Sequence, residues 1–293
     1  MKPLVSLIVP VYNSMPYLKD MVRSIEDQTW KHLECIFTDD GSSDDSLEYL
    51  YGKKEDLERA GITVKILVLT HGGQAAAVDA ALKQATGEYL TWCDADDKMA
   101  PECIEAKVNY LEENPYIGMV RNDGVICDDD GNVLSNSARE TDRKEQDIFE
   151  ELLRQTTYCY AGCYMIRMAL FDECYPDRSI PISSEGQNLQ LLLPPASRTV
   201  CGFVPEVLHY YYRRSGGHSS MKRSYSQTLE RKMNFIKLYK EILPFCQCDQ
   251  EYYGKVIEEL KDQYLEELRC SVLLQVRKEM KDRESGNSNI SRS

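Results

Sequence analysis

Paired cysteine motifs are missing from this chain. Its eleven cysteines are scattered and odd in number, with no Cys-x-x-Cys pair, and Cys246-Gln-Cys248 has no second pair nearby to complete a zinc site. Free thiols in a reducing cytosol are the reading. Long apolar runs are absent too: none approaches the ~18 residues of a membrane span, and no basic stretch leads into an apolar one at the N-terminus. Membrane contact is therefore expected to be peripheral or through a partner. Positive charge is in deficit, with 35 basic against 48 acidic side chains and a net charge of −13. That excludes a broad nucleic-acid footprint and simple adsorption to anionic lipid. An anionic ligand would need a metal or backbone amides.

What the chain has is core. With 293 residues, 42% of them hydrophobic and 9% aromatic, it holds one large α/β domain with an appendage, or two small domains. Leu4 to Val9 reads as a buried strand, followed by a Pro10-Val-Tyr-Asn13 turn and a helix with Leu18, Met21, Val22 and Ile25 on one face. Leu33 to Thr38 is a second strand; after Asp39-Asp-Gly-Ser-Ser-Asp44 a helix carries Leu47, Leu50, Tyr51 and Leu57 and stops at Gly61. Ile62 to Leu69, a helix over Gln74 to Ala85 and a strand over Glu88 to Cys93 repeat the plan. Such alternation predicts a parallel sheet.

The fourth strand runs into Asp94-Ala-Asp-Asp97. Three carboxylates in four residues repel one another unless a cation or a hydroxyl-rich ligand relieves them. In parallel sheets ligands bind beyond the carboxyl ends of the strands, where the turns at Pro10–Asn13, Asp39–Asp44 and Asp94–Asp97 all fall. Either acidic cluster alone could simply cap a helix; converging on one rim, they predict a site.

Beyond the quartet, Pro101 opens a helix with Ile104, Val108 and Leu111 on one face, ending at Asn114-Pro115. Ile117–Cys127 and Val133-Leu134 flank Asp128-Asp-Asp-Gly131, a hairpin turn lacking the spacing and closing Glu of an EF-hand. A helix to about Arg154, a strand over Tyr158–Ile166 and a strand-rich stretch over Val200–Tyr212 follow. Residues 1–222 are read as one domain and 223–283 as a helical extension. Residues 284–293 are read as a disordered tail.

Four ordered motifs carry a resemblance. Ser6-Leu-Ile-Val-Pro-Val-Tyr-Asn13, Asp39-Asp-Gly-Ser-Ser-Asp-Asp-Ser46, Gly73-Gln-Ala-Ala-Ala77 and Tyr89-Leu-Thr-Trp-Cys-Asp-Ala-Asp-Asp97 resemble the family 2 glycosyltransferases of GT-A fold. The likeness covers about residues 4–97 and continues more weakly to about 220. It implies a Rossmann-like, mostly parallel sheet flanked by helices. It also implies that Pro10, Val11, Tyr12, Asn13, Asp39 and Asp40 surround a uridine-like nucleotide, with Asp94 toward the ribose or a metal-bound water. Asp96, with Asp97 as a second ligand, would hold Mn²⁺ or Mg²⁺ at the diphosphate, where a divalent ion stabilises the leaving charge.

An inverting transfer needs a carboxylate to accept the acceptor's proton. Relatives place a Glu-Asp pair before a Leu-x-Leu helix; aligning Leu191-Leu-Leu193 there puts Gln187 and Asn188 at the pair, and neither amide is a base. Glu185 is the best available carboxylate, with Gly186 supplying backbone freedom. Tyr210 to Ser220 resembles the family's lid loop, in which Arg213, Arg214 and His218 would meet the diphosphate.

The reading is thus a glycosyltransferase moving a sugar from a nucleotide-diphospho-sugar, with a UDP-sugar preferred, to a saccharide or lipid-linked acceptor with inversion. It is placed in the cytoplasm at the inner membrane face, in surface polysaccharide synthesis. A non-catalytic sugar-nucleotide-binding subunit is the main rival. A haloacid-type phosphohydrolase would want Thr or Val two residues after its second Asp, where Lys98 stands. For the helices after Arg223, packing on the catalytic domain is preferred over forming a homodimer or resting on a membrane.

Overall fold

The structure, a computed structural model, describes residues 2–217 and 220–288. Its first part is a run of alternating strands and helices: β1 (Val5–Val11), α1 (Leu18–Glu26), β2 (Leu33–Asp39), α2 (Ser46–Arg59), β3 (Ile62–Val68), α3 (Gln74–Leu82) and β4 (Tyr89–Trp92). A short β5 (Lys98–Met99), α4 (Cys103–Glu113), β6 (Met119–Cys127), β7 (Val133–Asn136), α5 (Phe149–Leu153), β8 (Tyr164–Arg167), α6 (Met168–Cys174), α7 (Gln187–Ala196) and β9 (Cys201–Tyr212) complete the α/β body. Two helices, α8 (Tyr225–Ile242) and α9 (Gln250–Ser288), end the described chain.

One sheet joins the strands in the order β3-β2-β1-β4-β8-β6-β9-β5, with β7 paired to β6. The first four strands are parallel, as are β6 and β9, while β8 joins the two groups by antiparallel pairs on both sides. Within β1 the side-chain period of two sorts the core: Val5, Leu7, Val9 and Val11 enter one apolar cluster with α1, α2 and α4, and Ile8 enters the other. That second cluster holds residues of α3, α5, α6 and α7, and also Ile236, Leu238, Tyr239 and Ile242 of α8 and Val256, Ile257 and Leu260 of α9. The C-terminal helices are thus packed into the same core as the sheet.

Three boundaries differ from the expected ones. The Tyr158–Ile166 run is a strand only from Tyr164, because Gly162 takes φ +86° where a β-carbon would run into the His209 ring and so leaves the extended conformation. Pro10 and Val11 belong to β1, not to the turn after it. At the other end, α9 continues to Ser288, past Glu284 where the polar tail was expected to begin.

Candidate active site

The in-register pairing of Val11 with Asp39 and of Asp39 with Val68 levels the ends of β1, β2 and β3, so the turns that follow them share one rim. After β1, Asn13 adopts φ 46°, a left-handed position that Asn tolerates better than most side chains. Its amide N–H donates to Ser42 Oγ at 3.0 Å, and its Oδ1 accepts from the Ser43 and Asp44 amides at 2.7 and 3.3 Å. Asn13 therefore fastens the first turn to the second. Tyr12, 48% exposed, stacks on His71 of the β3–α3 turn with centroids 4.3 Å apart and planes 26° apart, giving the rim an aromatic wall. Pro10 and Val11, expected around the nucleotide, are buried strand residues, since the strand continues two residues beyond its predicted end.

The neighbouring carboxylates of the second turn face different tasks. Asp40 accepts from the Gly72 and Gly73 amides at 2.8 Å each and pairs with His71 Nδ1 at 2.9 Å. Its oxygens thus hold the third turn instead of pointing to open space. Asp39 accepts from the Gly41 and Ser42 amides through Oδ2 at 3.2 and 3.1 Å, while its buried Oδ1 has no hydrogen-bond partner. An orphaned buried acceptor costs about 1–3 kcal/mol, so it calls for a donor from outside the chain.

In the acidic quartet, burial raises all three carboxyls above the ordinary aspartate value, and mutual repulsion adds to it for Asp94 and Asp97. Asp94 accepts from Gln74 Nε2 at 2.6 Å. Asp96 is opposed by the Arg214 charge, which lowers its pKa in part; Arg214 Nη2 also donates to the Asp96 carbonyl at 2.9 Å. Asp97, expected as a second metal ligand, is turned inward: it is 1% exposed, its Oδ1 accepts from the Tyr212 amide at 2.9 Å, and its Oδ2 lies 3.3 Å from His209 Nε2. Burial and the Lys107 charge bring the His209 pKa down to about 3, so the imidazole is neutral. Asp96 offers carboxylate oxygens, the donor type that suits a hard divalent cation such as Mg²⁺ or Mn²⁺.

The fourth wall is the start of α7. Gly186 is left-handed at φ 67°, and a β-carbon there would stand 2.8 Å from Leu238 and 2.9 Å from Phe235 of α8. Gln187 donates to Gln74 Oε1 at 2.8 Å, which continues the line to Asp94, and Asn188 accepts from Trp92 Nε1 at 2.8 Å. The two amides standing where a base was sought hold the helix to the rim. Glu185 is 7% exposed and pairs with Arg231 Nε of α8 at 2.8 Å.

The expected lid is partly strand. Tyr210–Tyr212 belong to β9, and the Arg213 amide donates to the Cys127 carbonyl at 2.8 Å, leaving its side chain exposed. Arg214 is packed between Tyr17 and Tyr212, 3.9 and 4.3 Å from their ring centres. His218 lies outside the described residues. Residues at the site to which no role was assigned from sequence are His71, Gln74 (though it lies in the third motif), His209, Tyr17 and Arg231. For the first two a signal existed, since His71-Gly-Gly-Gln74 is another turn at a strand's carboxyl end; the others come from distant segments and leave no local pattern.

Comparison with known proteins agrees with this architecture. Residues 6–175 match the model of the family described as glycosyl transferase family 2. An uncharacterised glycosyltransferase of Haemophilus influenzae is 34% identical over 132 residues, 45% of this chain and 51% of that protein, so the chain spans about half the length of that relative. Among solved structures, the S. aureus TarS fragment 1-349 in complex with UDP-GlcNAc aligns with a TM-score of 0.64 at 20% identity, covering 89% of this chain and 71% of that one. The mannosyltransferase PcManGT from Pyrobaculum calidifontis, in complex with GDP-Man and Mn²⁺, aligns at 0.58 and 16% identity over 96% and 81%. At these identities the two structures speak for the fold.

Proposed function

The chain belongs to glycosyl transferase family 2, and on that premise we propose that it transfers a sugar from a UDP-sugar to a saccharide or lipid-linked acceptor, with inversion and with a divalent metal. The observation that carries the donor reading is the orphaned Asp39 Oδ1 on the same rim as Asp94 and Asp96. Uracil N3–H is a donor of the kind that this oxygen lacks, and the Tyr12–His71 wall offers the base a stacking face. Support also comes from relatives of the same fold whose complexes contain UDP-GlcNAc or GDP-Man with Mn²⁺.

Asp94 is assigned to the ribose and Asp96 to the metal, which when bound supplies positive charge to the diphosphate as it leaves. Arg213, Arg214 and His218 are assigned to the diphosphate oxygens; Arg214 is already anchored on the Asp96 carbonyl, so little movement brings its guanidinium to bear. Glu185 is assigned as the base. The acceptor oxygen bonds to the anomeric carbon, the bond from that carbon to the diphosphate breaks, and the hydroxyl proton passes to Glu185. A role in surface polysaccharide synthesis at the cytoplasmic membrane face fits this chemistry; among the described residues no helix is long and apolar enough to cross a membrane.

The test is incubation with Mn²⁺ and a panel of nucleotide sugars and acceptors, reading released nucleoside diphosphate. Release from UDP-sugars that depends on both metal and acceptor is expected. Metal-dependent donor binding without turnover across a broad acceptor panel would return the chain to the non-catalytic binding subunit.

A further inference from the structure

Where β4 runs into the acidic quartet, three side chains from separate turns of the chain meet inside the protein. Cys93 follows the last residue of β4, Asp97 closes the quartet and His209 lies within β9; all three are buried. His209 Nε2 stands 3.3 Å from Asp97 Oδ2 and 3.8 Å from Cys93 Sγ, and the three ligand atoms all fall within 4.8 Å of one another. Asp97 Oδ2 accepts no hydrogen bond, a costly state for a buried carboxylate oxygen. Gly162 permits the approach: a β-carbon there would stand 2.6 Å from His209 Nε2 and 3.0 Å from Cys93 Sγ.

We propose that Cys93 Sγ, Asp97 Oδ2 and His209 Nε2 ligate a buried zinc ion, separate from the divalent ion assigned to Asp96. With sulfur at about 2.3 Å and nitrogen or oxygen at about 2.0–2.1 Å, neighbouring ligands on a tetrahedral ion stand roughly 3.3–3.6 Å apart. The observed 3.3 and 3.8 Å come close to that spacing. A set of one sulfur, one nitrogen and one oxygen suits zinc and not Mg²⁺, which takes oxygen alone. Three protein ligands and a water make a coordination that zinc accepts. Cys163 Sγ lies 3.5 Å from His209 Nδ1, so the other ring nitrogen has its own partner and Nε2 keeps its lone pair for the ion.

Charge agrees with this assignment. A thiolate and a carboxylate together match the two positive charges of zinc, and around Cys93 the negative charges of Asp97 and Asp94 outweigh the Lys107 ammonium. At His209, burial and that ammonium keep the imidazole neutral, the form that binds metal. The consequence is mechanical. Asp97 Oδ1 already accepts from the Tyr212 amide of β9 at 2.9 Å; an ion on Oδ2 adds a second tie from the quartet to β9 and a first from the end of β4. It would thus fix the turn that carries Asp96 without occupying the rim.

The test uses the full chain, produced in zinc-supplemented medium and freed of loose metal by gel filtration. The proteins are wild type, Cys93→Ser, His209→Gln and the control Cys248→Ser/Cys270→Ser, which removes two thiols outside the cluster. Mass spectrometry of metal content should find about one zinc per chain in wild type and control, and at least roughly ten-fold less in the two ligand variants. Stripping the metal with a chelator should lower the Tm of wild type and control and leave that of the ligand variants unchanged. X-ray absorption at the zinc edge of wild type should show one sulfur at about 2.3 Å with nitrogen or oxygen at about 2.0–2.1 Å. That measurement decides the matter even where a ligand variant does not fold. Folded wild type without zinc, equal zinc in all four proteins, or a shell with no sulfur or with several would overturn the site; an ion lodged on Asp96 gives the shell with none.

Discussion

Asp94 and Asp96 stand above the ordinary aspartate pKa chiefly through burial, and that sets a sign for stability. Each holds its proton in the folded state at pH values where the unfolded chain has lost it, so the folded state binds more protons and stability falls as pH rises from the ordinary carboxylate value, about 4, toward the raised one. A divalent ion bound to the charged carboxylates reverses the penalty. In scanning calorimetry, Mg²⁺ or Mn²⁺ should raise Tm more at about pH 7.5 than at about pH 5, and Asp94→Asn should stabilise the metal-free protein at neutral pH. Equal metal effects at both pH values would contradict this account of the acidic pair.

Asp96→Ala should keep the fold and lower metal-dependent turnover by roughly 10²–10³-fold, the usual loss when an electrostatic stabiliser of a leaving charge is removed. Steady-state release of nucleoside diphosphate checks it. Residue identities alone could not separate Asp96 from its neighbours. Asp39, Asp94 and Asp96 were legible as a rim because strand-end turns carry ligands; Asp40 and Asp97 share their chemistry, yet their oxygens go to Gly72, Gly73 and His71 and to the Tyr212 amide. Those partners lie 31 to 115 residues away in sequence, beyond the reach of any local pattern.

At the scale of elements, the start of α7 is where backbone conformation sets the chemistry. Gly186 is left-handed and packed against Leu238 and Phe235, so a side chain there is strained by φ and by contact together. Gly186→Ala should cost about 1–3 kcal/mol in urea unfolding and lower kcat more than it raises KM for the donor, because it displaces Glu185 and leaves the rim turns in place. A loss of stability with kcat unchanged would detach Glu185 from the chemistry. The first four strands were legible because each is a short apolar run closed by turn residues, and they were found within about two residues of their predicted ends. The strand over Tyr158–Ile166 was not, since its first half gives way to the close approach of Gly162 to His209, a contact across 47 residues of sequence that only the assembled sheet creates. β5 escaped for a different reason: two residues carry no periodicity.

Over the whole molecule, the sheet is the frame and the C-terminal helices complete it. Helices α8 and α9 could be read from apolar spacing, but their docking could not, because amphipathic faces do not name what they cover. In the folded chain α8 brings Arg231 onto Glu185 and buries Leu238 and Tyr239 in the core that α7 also enters, so the extension backs the start of α7. The rim and this contact thus differ in origin. The rim is local to the ends of consecutive parallel strands and was visible in four motifs, whereas the contact of Arg231 with Glu185 joins segments 46 residues apart and was not.

In the proposed donor complex this rim holds uridine diphosphate through Asp39 and a divalent ion through Asp96. A crystal structure with UDP and Mn²⁺, with the ion located by its anomalous signal, tests it most directly. Mn²⁺ is expected at about 2.0–2.2 Å from an Asp96 carboxylate oxygen, and uracil N3 within hydrogen-bond distance of Asp39 Oδ1. Mn²⁺ more than about 4 Å from Asp96, or a uracil ring seated away from Asp39, would contradict it.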